Sequence, residues 1–222
     1  MAANASLGLD RFSKATPTMP TARQKRTNDP EGMRRRMLDM AEESFQARGF
    51  HATSLGDVMA AAGVTGGALH HHFPTKKALA LAVIEERVAA AVRVTWIEPV
   101  GSAVSARSGV QQVFVAIADE LERQGFVRGC PLNNLAHELS LADPDFRAAL
   151  ATVFDDWRKA IADKVRADQR AGLESGTDPE RFAAAAVALY SGAMSMAKTA
   201  QDSSLLRLCA KELDEAGGGM QK

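Results

Sequence analysis

Residues 53–79 constrain the fold of this chain more than any other stretch, because they place several helix boundaries close together. The stretch reads TSLGDVMAAAGVTGGALHHHFPTKKAL. Ser54 can cap a helix with apolar residues at helical spacing, and Gly63 ends it because glycine enters the left-handed region without a steric penalty. Thr65 can cap a second short helix, and Pro74 ends that one. These signals predict a helix, a glycine-containing turn and a second helix, which is the arrangement of a helix-turn-helix.

The order of residues around the second helix resembles the N-terminal DNA-binding domain of the TetR family of transcriptional regulators. The pattern of that family runs roughly apolar-Ser/Thr-x-Gly-x-Leu-Tyr-x-His-Phe-x-x-Lys, and the stretch here is VTGGALHHHFPTKK. The residues that match are Val64, Thr65, Gly67, Leu69, His72, Phe73 and Lys76. His70 stands where the family usually has tyrosine. The segment from Gly49 to Thr53 also resembles the family, which has glycine, an aromatic residue and a capping threonine there.

The resemblance implies that the second helix enters the major groove of DNA. A recognition helix reads base edges with its N-terminal residues, while flanking groups bind phosphates. We therefore expect Thr65, Gly66 and Gly67 to face the groove, the two glycines allowing close approach of the backbone. The other predicted DNA contacts are Thr53, Ser54, His70, His71 and Lys76. The alternative is a helix-turn-helix that serves only packing.

The remaining helix signals predict an all-α chain of about nine helices. Asp29 followed by Pro30 predicts the start of the first helix. Apolar residues keep a helical period over residues 76–97, which predicts a helix about 30 Å long that Pro99 closes. Later helices are predicted between Val110 and Gly125 and over residues 132–141, 145–171, 179–199 and 203–216. No segment has the alternating pattern of a strand.

These boundaries divide the chain into four parts. Residues 1–28 lack periodicity and are predicted to be a disordered arm, residues 29–75 a DNA-binding head, residues 76–216 a ligand-binding and dimerisation domain, and residues 217–222 a flexible tail. Residues 1–80 carry 11 Lys and Arg against 7 Asp and Glu, whereas the rest carries 16 against 20. A basic N-terminal part favours a phosphate-binding surface, although the charge asymmetry alone is weak evidence.

Several function classes are disfavoured by what the sequence lacks. There is no phosphate-binding glycine loop or Gly-x-Ser-x-Gly elbow, and His137-Glu138 is not followed by the second histidine of a zinc protease motif, so no enzyme is predicted. Three consecutive histidines point about 100° apart on a helix and make a poor metal site. No cofactor, metal or membrane segment is predicted. Two distant cysteines indicate no disulfide framework, which favours a cytoplasmic location.

The segment CPLNNLAHE, residues 130–138, predicts a small-molecule site. It places polar groups on one short helix within an otherwise apolar and aromatic domain, as ligand pockets do. The resemblance to the TetR family implies a C-terminal ligand-binding domain without identifying the ligand. The predicted lining residues are Phe114, Cys130, Asn133, Asn134, His137, Trp157 and Tyr190. The alternative for Asn133 and His137 is that they are satisfied core or interface groups.

The last two helices are rich in alanine and other small residues, which allow close approach of helices. Two such helices from each of two subunits could form a four-helix interface with two-fold symmetry, and the resemblance implies the same. A monomer that buries these helices in its own core is the alternative.

The sequence thus predicts a regulator that binds a pseudo-palindromic operator in double-stranded DNA as a homodimer and responds to a small-molecule effector. Two alternatives stay open. Cys130 lies at a helix N-terminus, which can lower the pKa of a thiol, so the protein could be a redox-responsive or electrophile-responsive regulator; burial would raise that pKa instead. The other alternative is a helical binding protein without a DNA function.

Overall fold

The computed structural model describes residues 29–218, with side chains up to Leu213. The predicted arm, residues 1–28, lies outside the described residues. Within residues 29–218 the chain forms nine helices and no strand. The helices are α1 Pro30–Arg48, α2 Leu55–Ala62, α3 Gly66–His72, α4 over residues 76–102, α5 Ala106–Gln124, α6 Pro131–Leu139, α7 Pro144–Arg170, α8 Pro179–Ala200 and α9 Ser204–Gly218. The predicted all-α class is confirmed.

The helix boundaries of the head, α1 to α3, follow the predicted capping residues. Asp29 accepts a hydrogen bond from the Gly32 backbone N–H at 2.8 Å. Ser54 and Asp57 form a reciprocal capping box at the start of α2, since each side chain accepts from the backbone N–H of the other. Gly63 adopts φ 64°, the left-handed conformation expected after α2. The local signals of the sequence therefore fix the ends of all three helices.

The apolar faces of the three helices meet in a small core. Leu69 of α3 and Val58 of α2 are buried together with Met37, Leu38 and Phe45 of α1. Burial of such side chains contributes about 1.5–3 kcal/mol each, which is what holds the short α3 in place. The opposite face of α3, which carries Gly67, His70 and His71, is exposed in the described part of the chain.

The long helix α4 differs from its prediction in two ways. It continues through Pro99 to Ser102, and it contains two π-helical turns, Ile84–Val88 and Arg93–Ile97. The second π turn ends directly before Glu98 and Pro99. Because proline has no N–H for the regular i to i−4 pattern, a wider turn at this point lets the helix pass it. The predicted stop at Pro99 was wrong for this reason.

The remaining helices form a bundle around α4. In it α9 packs chiefly against α5, and α8 packs against α7 and α9. The helix α9 continues to Gly218, two residues into the segment 217–222 that was predicted as a tail, and residues 219–222 lie outside the described residues. Buried apolar residues run without interruption from the head into the bundle. No helix in the described part of the chain is long and apolar enough to cross a membrane.

Candidate nucleic-acid interface and ligand cleft

The exposed face of α3 presents the residues predicted to contact DNA. Thr65, Gly67, His70 and His71 are exposed, and Gly66 is half-buried. A Cβ atom added at Gly67 would meet no other atom within 4 Å among residues 29–218, so none of these residues covers this point of the helix. No cluster of His, Cys, Asp and Glu within the described residues is placed to hold a metal ion. The face is thus an open surface with little side-chain bulk at its N-terminal end.

Three predicted contact residues outside α3 have different surroundings. Thr53 is 1% exposed, and its hydroxyl donates to the Gly49 carbonyl at 2.8 Å, so Thr53 is a structural residue of the linker and is not available to DNA. Ser54 is exposed, and its hydroxyl is hydrogen-bonded to Asp57 at 2.8 Å. The Lys76 ammonium lies 4.1 Å from the centre of the Phe50 ring, and partial burial lowers the pKa of Lys76. It is therefore held against the linker that follows α1.

A half-open cleft of about 320 Å³ lies between α6 and α8. Four of the residues predicted to line a pocket are brought together there, and α8 supplies the opposite wall. The lining residues are Gly129, Cys130, Asn133, Asn134, His137, Met194, Ser195, Lys198 and Thr199. The volume falls at the lower end of ligand sites, roughly 300–1,000 Å³. The cleft therefore has room for a small molecule.

The other three predicted pocket residues lie in the core, and their assignment to the pocket is corrected. Phe114, Trp157 and Tyr190 are at most 5% exposed and form an aromatic cluster with Trp96. Their rings fill the space between α4, α5, α7 and α8 in tilted and edge-to-face arrangements, with centroids 4.7 to 5.7 Å apart. Aromatic rings favour such packing in an interior. They lie behind the cleft and do not form its walls.

Cys130 connects the cleft with this aromatic cluster. The Tyr190 hydroxyl lies next to the thiol, and burial raises the pKa of Cys130 above its usual value. The thiolate, which is the reactive form, is therefore suppressed. The structure does not favour the alternative in which Cys130 senses oxidants or electrophiles.

Asn134 joins the cleft to the head. Its side-chain oxygen accepts a hydrogen bond from the Lys198 ammonium of α8 at 2.9 Å, and its amide nitrogen donates to the side-chain oxygen of Gln46 in α1 at 3.0 Å. Gln46 in turn donates to the Gly129 carbonyl at 2.7 Å. A displacement of Lys198 in the cleft can therefore be transmitted to α1 through the side chain of Asn134.

Glu138, one turn further along α6, holds the linker between α1 and α2. Its carboxylate accepts hydrogen bonds from the backbone N–H groups of Phe50 and His51 at 2.8 and 2.6 Å. Gly49 makes this contact close, since a Cβ added there would lie 3.0 Å from the carboxylate and the residue has φ 86°. The helix α6 thus touches both the cleft and the head.

We expect the substitution Glu138→Gln to lower the free energy of unfolding by about 1–2 kcal/mol, because glutamine has one acceptor oxygen for two N–H groups and lacks the charge. Thermal unfolding of the purified protein measures this effect. Glu43→Gln, an exposed site on α1, is the matched control and should change little. Equal stability of both variants would contradict the assigned role of Glu138.

The sequence did not point to Gln46, Glu138 or Lys198. Lys198 is separated from Asn134 by 64 residues, and only the packing of α8 against α6 brings the two together. One signal was present: Ser191, Ser195 and Lys198 recur at spacings of four and three along a helix that is rich in alanine. That spacing places polar groups on one face of α8.

Comparison with known proteins decides the family. Residues 37–83 match the family model described as bacterial regulatory proteins of the tetR family, and residues 106–212 match the model for the C-terminal domain of LmrA/YxaF-like transcriptional regulators. The chain belongs to the TetR family. It is a DNA-binding transcriptional regulator and not an enzyme. The alternative of a helical binding protein without a DNA function is thereby excluded.

Individual relatives agree with this family. The chain is 29% identical over 192 residues to the transcriptional regulator AcuR of Cereibacter sphaeroides, covering 82% of this chain and 87% of AcuR. It is 26% identical to the transcriptional repressor DhaR of a Mycobacterium species, covering 73% of this chain and 80% of DhaR. Among solved structures, a TetR transcriptional regulator from Chloroflexus aurantiacus superposes with a TM-score of 0.73 at 25% identity, over 86% of this chain and 96% of that one.

Proposed function

We propose that this TetR-family regulator is a ligand-responsive repressor that binds a pseudo-palindromic operator as a homodimer. The observation that carries the proposal is the uncovered face of α3 around Gly67, on a head that α6 links directly to a ligand-sized cleft. The similarity to the repressor DhaR, which extends over most of the chain, supports repression as the direction of regulation. The proposal includes action in the cytoplasm, where operator DNA is found.

Thr65, Gly66 and Gly67 would approach base edges, while Ser54, His70 and His71 would contact phosphates. Lys76 begins α4, and the N-terminus of a helix attracts phosphate through its free N–H groups and positive dipole end. Thr53 takes no part because it is buried. Two heads related by two-fold symmetry would read half-sites about 34 Å apart.

The proposed dimer forms through α8 and α9. One face of α8 exposes small residues at helical spacing, and two larger apolar side chains stand out beside it. The exposed residues are Ala184, Ala185, Ala188, Gly192, Met196 and, on α9, Leu208. Met196 is 61% exposed and Leu208 55% exposed, so both present apolar surface that a partner subunit could cover. Pairing of these faces would remove that apolar surface from water.

We expect Gly192→Arg to be a folded monomer. A Cβ at Gly192 would meet no atom of the described residues within 4 Å, so the subunit tolerates a side chain there, whereas a partner helix would not. Light scattering coupled to size-exclusion chromatography measures the mass. Gly101→Arg, also with open space around its Cβ, is the matched control and should remain dimeric. A dimeric Gly192→Arg variant would count against this interface.

The proposed function is tested by fluorescence anisotropy with a DNA fragment from directly upstream of the coding region, at two salt concentrations. An operator-binding repressor should bind this fragment more tightly than random DNA and lose affinity as salt rises, because phosphate contacts release counterions. If binding to both DNAs is equal and weak, and a transcription assay shows no repression from that promoter, the repressor assignment to it fails.

A further inference from the structure

The cleft between α6 and α8 has the electrostatic character of an anion site. Among the described residues that line it there is one ammonium group, Lys198, and no carboxylate. Lys198 forms no ion pair with any acidic side chain among the residues that the structure describes. The cleft also lies at the N-terminal end of α6, where the helix dipole is positive. A negatively charged ligand group would pair with the Lys198 ammonium and with the positive end of the α6 dipole.

A second observation points to a ligand with acceptor oxygens. Asn133 is 6% exposed and lines the cleft, and its amide nitrogen is buried with no hydrogen-bond partner in the described part of the chain. Its oxygen is already engaged, since it accepts from the Ser191 hydroxyl at 3.2 Å. A buried donor without a partner is costly and is rarely left so in a folded protein. An acceptor atom placed in the cleft would satisfy it.

We propose that the cleft binds a small carboxylate whose oxygens accept from Lys198 and Asn133, and that this binding loosens the contact of Asn134 with Gln46. The size of the cleft, about 320 Å³, fits a compact molecule. Met194, which also lines the cleft, and the apolar part of the Lys198 side chain offer a surface for a short hydrocarbon portion. The class of ligand is therefore a short aliphatic or small aromatic carboxylate.

The link to the head follows from a competition for one ammonium group. In the free protein Lys198 donates to the Asn134 oxygen, and Asn134 donates to Gln46 of α1. A carboxylate is a stronger acceptor for an ammonium than an amide oxygen, so the ligand draws the Lys198 ammonium towards itself and lengthens its bond to Asn134. Asn134 then changes its position relative to Gln46, and α1 loses a fixed contact with the bundle. This step rests on the proposed function, because it supplies the effector class for the operator-binding repressor.

Calorimetric titration of the full chain without DNA tests the ligand class independently of any operator. The probes are butanoate and benzoate, with butanamide and benzamide as uncharged counterparts of the same shape. We expect the carboxylates to bind and the amides to bind at least about tenfold more weakly, because the amides lack the charge-assisted bonds. Lys198→Met should lose most of the carboxylate affinity, while Lys211→Met, an exposed lysine of α9 away from the cleft, should keep it.

Equal binding of acids and amides, equal affinity in Lys198→Met, or binding of neither carboxylate would overturn the assigned ligand class. The relay is tested separately with the variant Gln46→Ala and operator DNA. In the natural protein the operator and the carboxylate should weaken each other by the same factor, since coupling is reciprocal. In Gln46→Ala the carboxylate should still bind, but it should no longer weaken operator binding, so that the coupling factor approaches one. An unchanged factor would overturn the relay.

If calorimetry succeeds while no DNA fragment binds, the ligand class holds and the operator-binding proposal fails. If DNA binds but neither carboxylate does, the operator-binding proposal holds and the ligand class fails. The two proposals therefore fail by different measurements.

Discussion

Gly67→Leu should abolish specific DNA binding while leaving the protein folded. A Cβ at Gly67 meets nothing within 4 Å in the part of the chain that the structure describes, so a leucine side chain projects outward from the N-terminal half of α3. In the proposed complex that space is filled by the major groove, and the side chain would hold the helix away from the base edges. We expect operator affinity to fall by about a hundredfold, equivalent to ~2.7 kcal/mol.

The stability of the same variant separates a binding effect from a folding effect. Leucine is a better helix former than glycine by about 1 kcal/mol at an exposed helical position, so the free energy of unfolding should be unchanged or slightly higher. Fluorescence anisotropy measures the affinity, and thermal unfolding measures the stability. Gly101→Leu, at an open position far along the chain at the end of α4, is the matched control and should bind DNA normally. Unchanged operator affinity in Gly67→Leu would contradict the assigned DNA surface.

Trp157→Ala should destabilise the protein by about 3–5 kcal/mol, because it removes one of the two tryptophan side chains of the buried aromatic cluster and leaves a cavity. Trp157 is fully buried, and its ring lies 4.8 Å from that of Trp96 and 5.6 Å from that of Tyr190. This cost is a large part of the roughly 5–15 kcal/mol that stabilises a typical domain. Chemical denaturation followed by circular dichroism measures the change.

Trp157→Phe is the informative companion variant. The indole N–H of Trp157 is buried without a hydrogen-bond partner in the described part of the chain, and phenylalanine removes this donor while keeping an aromatic ring. The relief of an unsatisfied donor, about 1–3 kcal/mol, offsets part of the lost packing. We therefore expect Trp157→Phe to cost much less than Trp157→Ala. Similar losses in both variants would mean that the N–H has a partner in solution.

Local signals explain why the head could be predicted from the sequence. The ends of α2 and α3 depend on Ser54, Gly63 and Thr65, which act on residues within one helical turn of themselves. The family resemblance covers the same short stretch. The prediction that Thr53 lies on the DNA surface was wrong, because a threonine before a helix can cap the helix, bind phosphate or pack in the interior. Only the fold shows that its hydroxyl donates to the Gly49 carbonyl.

The cleft could be predicted only in part, since its two walls are distant in the sequence. The wall from α6 was visible as polar residues in an apolar setting, and Asn133, Asn134 and His137 do lie beside the cleft. Aromatic residues such as Phe114 suit a pocket lining and a closed core equally well, so composition could not separate the two. The contribution of Lys198 depends on how α8 packs, which no local pattern specifies.

Selection of DNA sequences from a random library by the full chain is the strongest test of whether the dimer reads an operator through α3, because the selection itself supplies the operator sequence. We expect enrichment of an inverted repeat with half-sites about one helical turn apart, and loss of that enrichment in Gly67→Leu. Failure to enrich any sequence above the starting library, with the protein folded and dimeric, would contradict it.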